Sequence, residues 1–259
     1  MSILSDKHII RLERIWILAK TDYALRYYDS KLGLLWALIN PIFQILVYYF
    51  CFSFFIFRNR ESDFILYLFS GIITWAFFSG GTKTGLGTLS KKKYLLESTQ
   101  INKLDFFVSG IITNSIQFVI SLIIYISFSL FMDVNYSLLA LYFVPIFISM
   151  CMVTMGVGMI LSVLKVYFHD INQLWDLALL LGFWSIPIIW DYKFIYTTYP
   201  AMLYINPFTG IVINIRKIFL YNEIPDIQIL FFDFGYGVLL LTIGILLVNK
   251  FTSKVIELR

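Results

Sequence analysis

The chain has 259 residues, of which 59% are hydrophobic and 19% aromatic, and its mean hydropathy is +0.81. Only 14% of the residues are charged, against about 25% in ordinary soluble domains. The net charge of +4 would suggest nucleic-acid binding in a soluble protein, but in so apolar a chain the basic residues are better interpreted as membrane-topology signals. The composition excludes a sizeable soluble domain and predicts a single all-α integral membrane domain over residues 1–259.

The first predicted element is an amphipathic helix over 5–31. Its apolar residues recur at spacings of three and four, while most of its Lys and Arg residues lie elsewhere around the helix; the apolar set is Ile9, Leu12, Trp16, Ala19 and Tyr23. This pattern favours a helix in the membrane interface. An ordinary helix packed on its neighbours is the alternative.

Six transmembrane helices follow. Long stretches without any charged residue recur along the chain, and about 20 apolar residues suffice for one helical crossing. The predicted spans are 34–57, 64–82, 106–132, 138–164, 171–190 and 228–249. With the N-terminus inside, fifteen of the twenty Lys and Arg residues lie on the inner side, so both termini are predicted to be cytoplasmic.

The inner loop at 83–105 contains Lys91, Lys92 and Lys93, followed by a short amphipathic stretch at 94–103. This stretch is either a helix presented to a cytoplasmic partner or part of a basic loop that only sets topology. The pattern leaves both interpretations open.

The outer region at 191–227 contains an uncharged segment that is long enough to span the membrane. Pro200, Asn206, Pro207 and Gly210 interrupt it, and a seventh span would place the basic C-terminal tail outside. We therefore expect a broken or re-entrant segment with short helices near 199–205 and 208–221. Such backbone is tolerated at membrane depth only inside protein or beside water, which makes this region a candidate outer gate.

The sequence offers little catalytic chemistry. Lys83 does not directly follow a glycine, so no phosphate-binding loop, and hence no ATP-hydrolysing site, is expected. The two histidines are far apart, and the two cysteines lie in apolar runs, so neither a metal site nor a disulfide is expected. A membrane-embedded transferase acting on lipid-linked sugars would have to use His169, Asp170 and Asp176.

Polar and aromatic side chains follow common faces of several predicted spans. The candidates for a substrate channel are Trp36, Asn40, Phe43, Gln44, Tyr48, Trp75, Asn172, Asp176, Phe183 and Trp190. Uncharged hydrogen-bonding groups beside aromatic rings suit sugars, although helix packing also uses Asn, Gln and Ser. Taken together, these polar and aromatic faces favour a passage for an uncharged hydrophilic ligand.

Four segments resemble, in order, motifs of ABC-type polysaccharide export permeases, the transmembrane subunits that export O-antigen, capsular polysaccharide or teichoic acid. They read RYYDSKLGLLWALINP at 26–41, YLFSGIITWAFF at 67–78, YFHDINQ at 167–173 and INPFTG at 205–210, the last followed by Arg216. Two features depart from the family pattern. His169 stands where an arginine is usual, and Ser98-Thr99-Gln100 replaces an FPRE-like segment.

The resemblance implies a multi-pass subunit of the bacterial inner membrane, surrounded by membrane lipids, that exports lipid-linked polysaccharide. It also implies a homodimer with two cytoplasmic ABC ATPase subunits, which use ATP and Mg, so that no cofactor and no nucleic acid belongs to this chain. The coupling region would contain Tyr94, Leu95, Leu96, Glu97, Ser98, Ile101 and Lys103. The periplasmic gate would contain Tyr204, Asn206, Pro207, Phe208 and Arg216. The transferase, or an ABC permease for a small lipid or drug, remains the alternative.

Overall fold

The structure is a computed structural model, and it describes residues 2–26, 28, 30–55, 64–98 and 101–257. The regular structure of these residues is helical. The α-helices are α1 (Ser2–Leu25), α2 (Trp36–Phe55), α3 (Phe64–Lys91), α4 (Lys93–Ser98), α5 (Lys103–Phe131), α6 (Phe143–Tyr167), α7 (Ile171–Ser185), α8 (Lys193–Thr198), α9 (Met202–Ile205), α10 (Pro207–Phe219) and α11 (Ile227–Glu257). Short 3-10 helices at Gly33–Leu35 and Leu138–Tyr142 precede α2 and α6.

Four helical segments of the described chain are long and apolar enough to cross a membrane: Phe64–Lys91, Lys103–Phe131, Leu138–Tyr167 and Ile227–Phe251. They correspond to the second, third, fourth and sixth predicted spans. The chain is therefore a multi-pass membrane protein, as predicted. The full count of six spans, which needs α2 and α7 as well, stays a prediction.

Helix α7 is shorter than the predicted span at 171–190. It has 15 residues and ends at Ser185, so it is about 22 Å long, less than the roughly 30 Å of bilayer hydrocarbon. Pro187 follows two residues later and cannot donate a backbone hydrogen bond, which prevents the helix from continuing. The predicted end at 190 is wrong for the helix.

Helix α3 is longer than predicted, because it continues from the apolar run through the first part of the expected 83–105 loop to Lys91. Lys91 in the last turn is favourably placed at the negative end of the helix dipole. The loop is thus reduced to a sharp turn, the six-residue helix α4 and a short link into α5.

The outer region consists of short helices, but the break predicted at Gly210 is wrong, because Gly210 lies within α10. Helices α9 and α10 lie near the two segments expected at 199–205 and 208–221, and α8 is a further short helix that was not predicted. Asn206 divides α9 from α10, since its side-chain Oδ1 accepts a hydrogen bond from the backbone N–H of Phe208 at 3.0 Å. Pro207 then occupies the first turn of α10, where its missing N–H costs nothing.

The bundle is built around α3, the most deeply buried of the four candidate spans. Glycines allow its close packing: a Cβ at Gly85 would lie 2.6 Å from the Cα of Gly158 on α6, and one at Gly156 would lie 2.5 Å from the Leu240 carbonyl carbon on α11. Small residues serve this purpose in membrane helices generally. Two apolar clusters result, a large one around α3 and α10 and a smaller one around α4 and the N-terminus of α5.

Candidate functional sites at the two ends of the bundle

The two ends of the bundle are named here by their residues. The basic end contains α1, α4 and the N-terminus of α5, and the Arg216 end contains α8, α9, α10 and the start of α3. In the predicted topology the basic end is cytoplasmic and the Arg216 end is periplasmic.

At the Arg216 end, the Arg216 side chain is fully buried. Its guanidinium donates hydrogen bonds to the carbonyl oxygens of Pro187, of Ile188 at 2.9 Å and of Tyr67 at 3.1 Å. The guanidinium carbon also lies 3.4 Å from the centre of the Tyr67 ring, a cation–π contact. Carbonyl dipoles and a ring face therefore surround this charge, and α10 is joined to α3 and to the segment after α7.

Tyr67 completes this arrangement from the other side. Its hydroxyl donates to the carbonyl oxygen of Trp190 at 2.6 Å and accepts from the backbone N–H of Tyr192 at 3.2 Å. Gly71, one turn later, provides the space, because a Cβ there would lie 2.6 Å from Arg216 Nη2. We call Arg216, Tyr67 and the backbone at 187–188 the Arg216 clamp.

The other predicted gate residues adjoin the clamp. Phe208 is buried, with its ring centre 4.1 Å from that of Phe78 on α3. Tyr204 is half-buried and contacts Phe232 of α11 edge-on at 4.8 Å. Together with Asn206 and Pro207 at the start of α10, these residues fix the outer segment against the bundle.

Tyrosine hydroxyls gather around the same end. Burial raises the pKa of Tyr192, Tyr196 and Tyr221, so these side chains remain neutral phenols at physiological pH. Tyr196 donates a hydrogen bond to Asp226 at 3.3 Å. These three tyrosines thus add hydroxyl groups to the Arg216 end without adding negative charge.

Some residues of the predicted channel contact a residue of the predicted gate. The Trp75 ring lies edge-on to Phe183 of α7 at 6.3 Å and to Phe208 of α10 at 6.4 Å. Gly182 lies under this ring, since a Cβ there would be 2.8 Å from Trp75 Cη2. Trp190 is half-buried and donates from Nε1 to the Trp184 carbonyl oxygen at 3.2 Å.

The remaining channel candidates lie mostly on open faces of this chain. On α2, the exposed members are Trp36, Asn40, Phe43 and Gln44, while the Tyr48 side chain lies outside the described residues. On α7, Asn172 is half-buried, and Asp176 is exposed and pairs with Lys83 at 2.7 Å. These faces are therefore available to a passage or to a second subunit.

At the basic end, α4 holds most of the predicted coupling residues. Tyr94 is 78% exposed, whereas Leu96 is buried in the smaller apolar cluster. Glu97 faces Lys93 at 3.7 Å, and Ser98 donates to the Tyr94 carbonyl oxygen at 2.8 Å. Leu95, Ile101 and Lys103 are half-buried. Helix α4 thus packs by one face and presents the other to the surroundings of the bundle.

An ionic cluster beside α4 was not predicted from the sequence. Asp105 of α5 is fully buried and accepts hydrogen bonds from Arg11 at 2.6 and 2.9 Å and from Arg14 at 2.8 Å. The hydrogen bond to Asp105 raises the pKa of the Arg11 guanidinium. We call these three residues the Asp105 clasp. An acidic residue at the start of an apolar run, together with two arginines spaced by three, was the available signal.

Two of the three residues that a transferase would need adjoin one cavity, and the third does not line it. His169 and Asp170 are exposed in the turn between α6 and α7, beside an open cavity of about 630 Å³. Asp176 lies further along α7 and pairs with Lys83.

Comparison with known proteins identifies the class. A sequence profile described as ABC-2 type transporter matches residues 13–220. The chain belongs to the ABC-2 type transporter family and is a permease subunit. Membership of this family implies a partner ATPase subunit.

The similar proteins are more specific. Two chains named O-antigen export system permease protein RfbA, from Klebsiella pneumoniae, are 23% identical over 243 and 245 residues, covering 93% of this chain and of each relative. A protein of the same name from Myxococcus xanthus is 25% identical over 217 residues, covering 82% of both chains.

Proposed function

We propose that this chain forms the membrane passage of an ATP-driven exporter that moves lipid-linked polysaccharide, most specifically O-antigen, from the cytoplasm to the periplasm across the bacterial inner membrane. Two copies of the chain and two ATPase subunits form the transporter. The family membership and the names of the relatives support this substrate class.

One observation carries the proposal. Asn40 and Gln44 are exposed on α2, a 20-residue helix that is otherwise strongly apolar. An amide facing hydrocarbon without a hydrogen-bond partner costs several kcal/mol. This face therefore requires water, a second protein surface or a hydroxyl-rich substrate beside it.

The neighbouring aromatic residues fit a sugar chain. Trp36 and Phe43 are exposed near Asn40 and Gln44 on α2. Rings stack on the C–H faces of sugars, while the amides exchange hydrogen bonds with their hydroxyl groups. Movement past such a surface needs no buried charge in the channel, and the energy comes from the partner ATPase. The coupling face of α4 lies at the end of the bundle opposite to the Arg216 clamp.

The proposal is tested with Asn40→Leu/Gln44→Leu, produced with the partner ATPase in cells that lack their own exporter. We expect the surface polysaccharide to fall at least about tenfold while lipid-linked polysaccharide accumulates inside, because leucine removes the hydrogen-bonding groups but keeps an apolar helix. Asn135→Leu in an exposed loop is the matched control. Undiminished export by the double variant would remove this face from the passage.

The same assay separates the transferase alternative. Replacing His169, Asp170 and Asp176 by Gln, Asn and Asn keeps hydrogen bonding but removes acid–base capacity. We expect synthesis of the lipid-linked glycan to continue in this triple variant. Loss of synthesis, with no intracellular glycan, would favour an enzyme.

A further inference from the structure

One acidic side chain of the last candidate span is buried without a partner. Asp233 of α11 is 1% exposed, and neither of its carboxyl oxygens has a hydrogen-bond partner. Asp105, which is equally buried, differs because Arg11 and Arg14 pair with it. Asp233 is therefore the one acid in the described part of the chain that is both buried and unpartnered. An ionisable residue inside a membrane span is a candidate functional site for this reason.

Asp233 lies at the joint between α11 and the outer segment. Gly210 of α10 faces it, since a Cβ at Gly210 would lie 2.5 and 2.8 Å from the two carboxyl oxygens. The carboxyl group thus lies directly against the backbone of α10, which covers it. Asp233 is about 9 Å along the axis from the start of α11, close to the Arg216 end. Water can therefore reach the carboxyl group once α10 moves away.

The charged groups near this joint are engaged by other partners. Asp226, two turns earlier in α11, accepts a hydrogen bond from the Tyr196 hydroxyl at 3.3 Å. On α10, Arg216 donates to the clamp, and the Lys217 ammonium lies 5.8 Å from the centre of the Tyr196 ring. Among the described residues, no cation is thus left to balance a charge on Asp233.

The other helices that contact α11, namely α5, α6 and α9, add no cation at the joint. The titratable residues of these helices and of the rest of α11 are Tyr204 of α9, Cys151, Lys165 and Tyr167 of α6, Lys103, Asp105 and Tyr125 of α5, and Tyr236, Lys250, Lys254 and Glu257 of α11. The lysines and the two acids among them lie towards the basic end, and tyrosine and cysteine carry no charge at neutral pH.

A carboxylate at this joint would lack both water and a counter-ion. Burying an unpaired charge is so costly that the group takes up a proton instead, whereas an aspartate in water loses its proton at about pH 4. We propose that Asp233 is a protonation site between α10 and α11, which binds one proton when α10 is seated and releases it when α10 moves away. The seated state binds more protons, so it becomes less favourable as the pH rises.

The first test detects the proton directly. The full-length chain is purified with its partner ATPase, and infrared difference spectra are recorded at pH 7 between the wild type and Asp233→Asn. We expect the carbonyl stretching band of a protonated carboxylic acid in the wild type and its loss in the variant, because ionised carboxylates lack this band. Asp226→Asn, on the same helix, is the matched control and should keep the band. A wild type without the band would overturn the inference.

The second test measures how firmly α10 is seated. Hydrogen exchange of the α10 amides is followed from pH 6 to pH 8 and compared at each pH with Asp233→Asn, so that the intrinsic effect of pH on exchange cancels. One proton released on opening predicts that protection in the wild type falls about tenfold per pH unit relative to the variant. The amides of α3 should show no such dependence.

The protonation site belongs to the folded subunit and does not depend on the substrate proposed above. Asp233→Ser also lacks a titrating group, so it gives both comparisons if Asp233→Asn does not fold. The same pH dependence of α10 protection in the wild type and in the variant would show that no proton is exchanged when α10 opens, and the inference would be wrong.

Discussion

The two ends of the bundle hold buried charge in opposite ways. The Arg216 clamp surrounds a cation with backbone carbonyls and a tyrosine ring, all within the interior. The Asp105 clasp surrounds an anion with two arginines that remain partly exposed. Breaking the clamp leaves buried polar groups without partners in a place that water cannot reach. The arginines of the clasp are partly exposed and can be hydrated by water when the clasp breaks. The clamp should therefore be harder to separate than the clasp.

The largest effect is expected from Arg216→Met. Methionine fills a similar volume but removes the charged hydrogen bonds to three carbonyl oxygens, and hydrogen bonds to charged groups contribute about 1.5–3 kcal/mol each. We expect a loss of about 4 kcal/mol of stability, measured as a fall in the melting temperature of the purified protein in detergent. Lys217→Met, at the neighbouring half-buried position, is the control and should change little. A variant as stable as the wild type would show that the clamp does not hold the outer segment.

An intermediate and local effect is expected from Asp105→Asn. The amide keeps the size of the side chain but loses the charge that both arginines contact, and hydrogen bonds to charged groups contribute about 1.5–3 kcal/mol. Hydrogen exchange should become faster in α1 while α3 and α6 stay protected. Asp133→Asn, at an exposed position with φ +57° that asparagine tolerates, provides the control. Equal loss of protection across the bundle would contradict the distinction between the two ends.

The smallest effect is expected from Lys83→Gln. Its partner Asp176 lies 2.7 Å away, but the two side chains are 54% and 60% exposed, and exposed pairs contribute about 0–1 kcal/mol. The melting temperature of the single subunit should therefore stay within error of the wild type. A loss as large as that of Asp105→Asn would show that exposure does not separate these sites.

Hydropathy predicted the long helices well, because four strongly apolar helical segments with few charged residues are each long enough to cross a bilayer. It placed helix ends less well. The end of α7 depends on Pro187, and the end of α3 lies nine residues beyond its apolar run. The apolar length therefore fixes neither end of a helix, since α3 continues beyond its apolar run and α7 stops before the end of its own.

The candidate sites were predictable only in part. Arg216 was singled out by its motif, but its contacts lie 28 to 149 residues away, and nothing local in the sequence pairs it with Tyr67 or the Ile188 carbonyl. Asp105 was missed because an acid at the edge of an apolar run resembles an ordinary span boundary. Both sites depend on the tertiary fold, which periodicity alone does not specify.

The length of α3 determines how far its C-terminal end moves when the helix rotates about the clamp. The clamp holds this helix near Tyr67, and Lys91, beside α4, is about 36 Å further along its axis. If α3 rotates by about ten degrees around the clamped turn, its end near Lys91 moves by about 6 Å. Residues next to Tyr67 barely move. A rotation that barely shifts the Arg216 end can thus accompany a shift of several ångströms at the basic end.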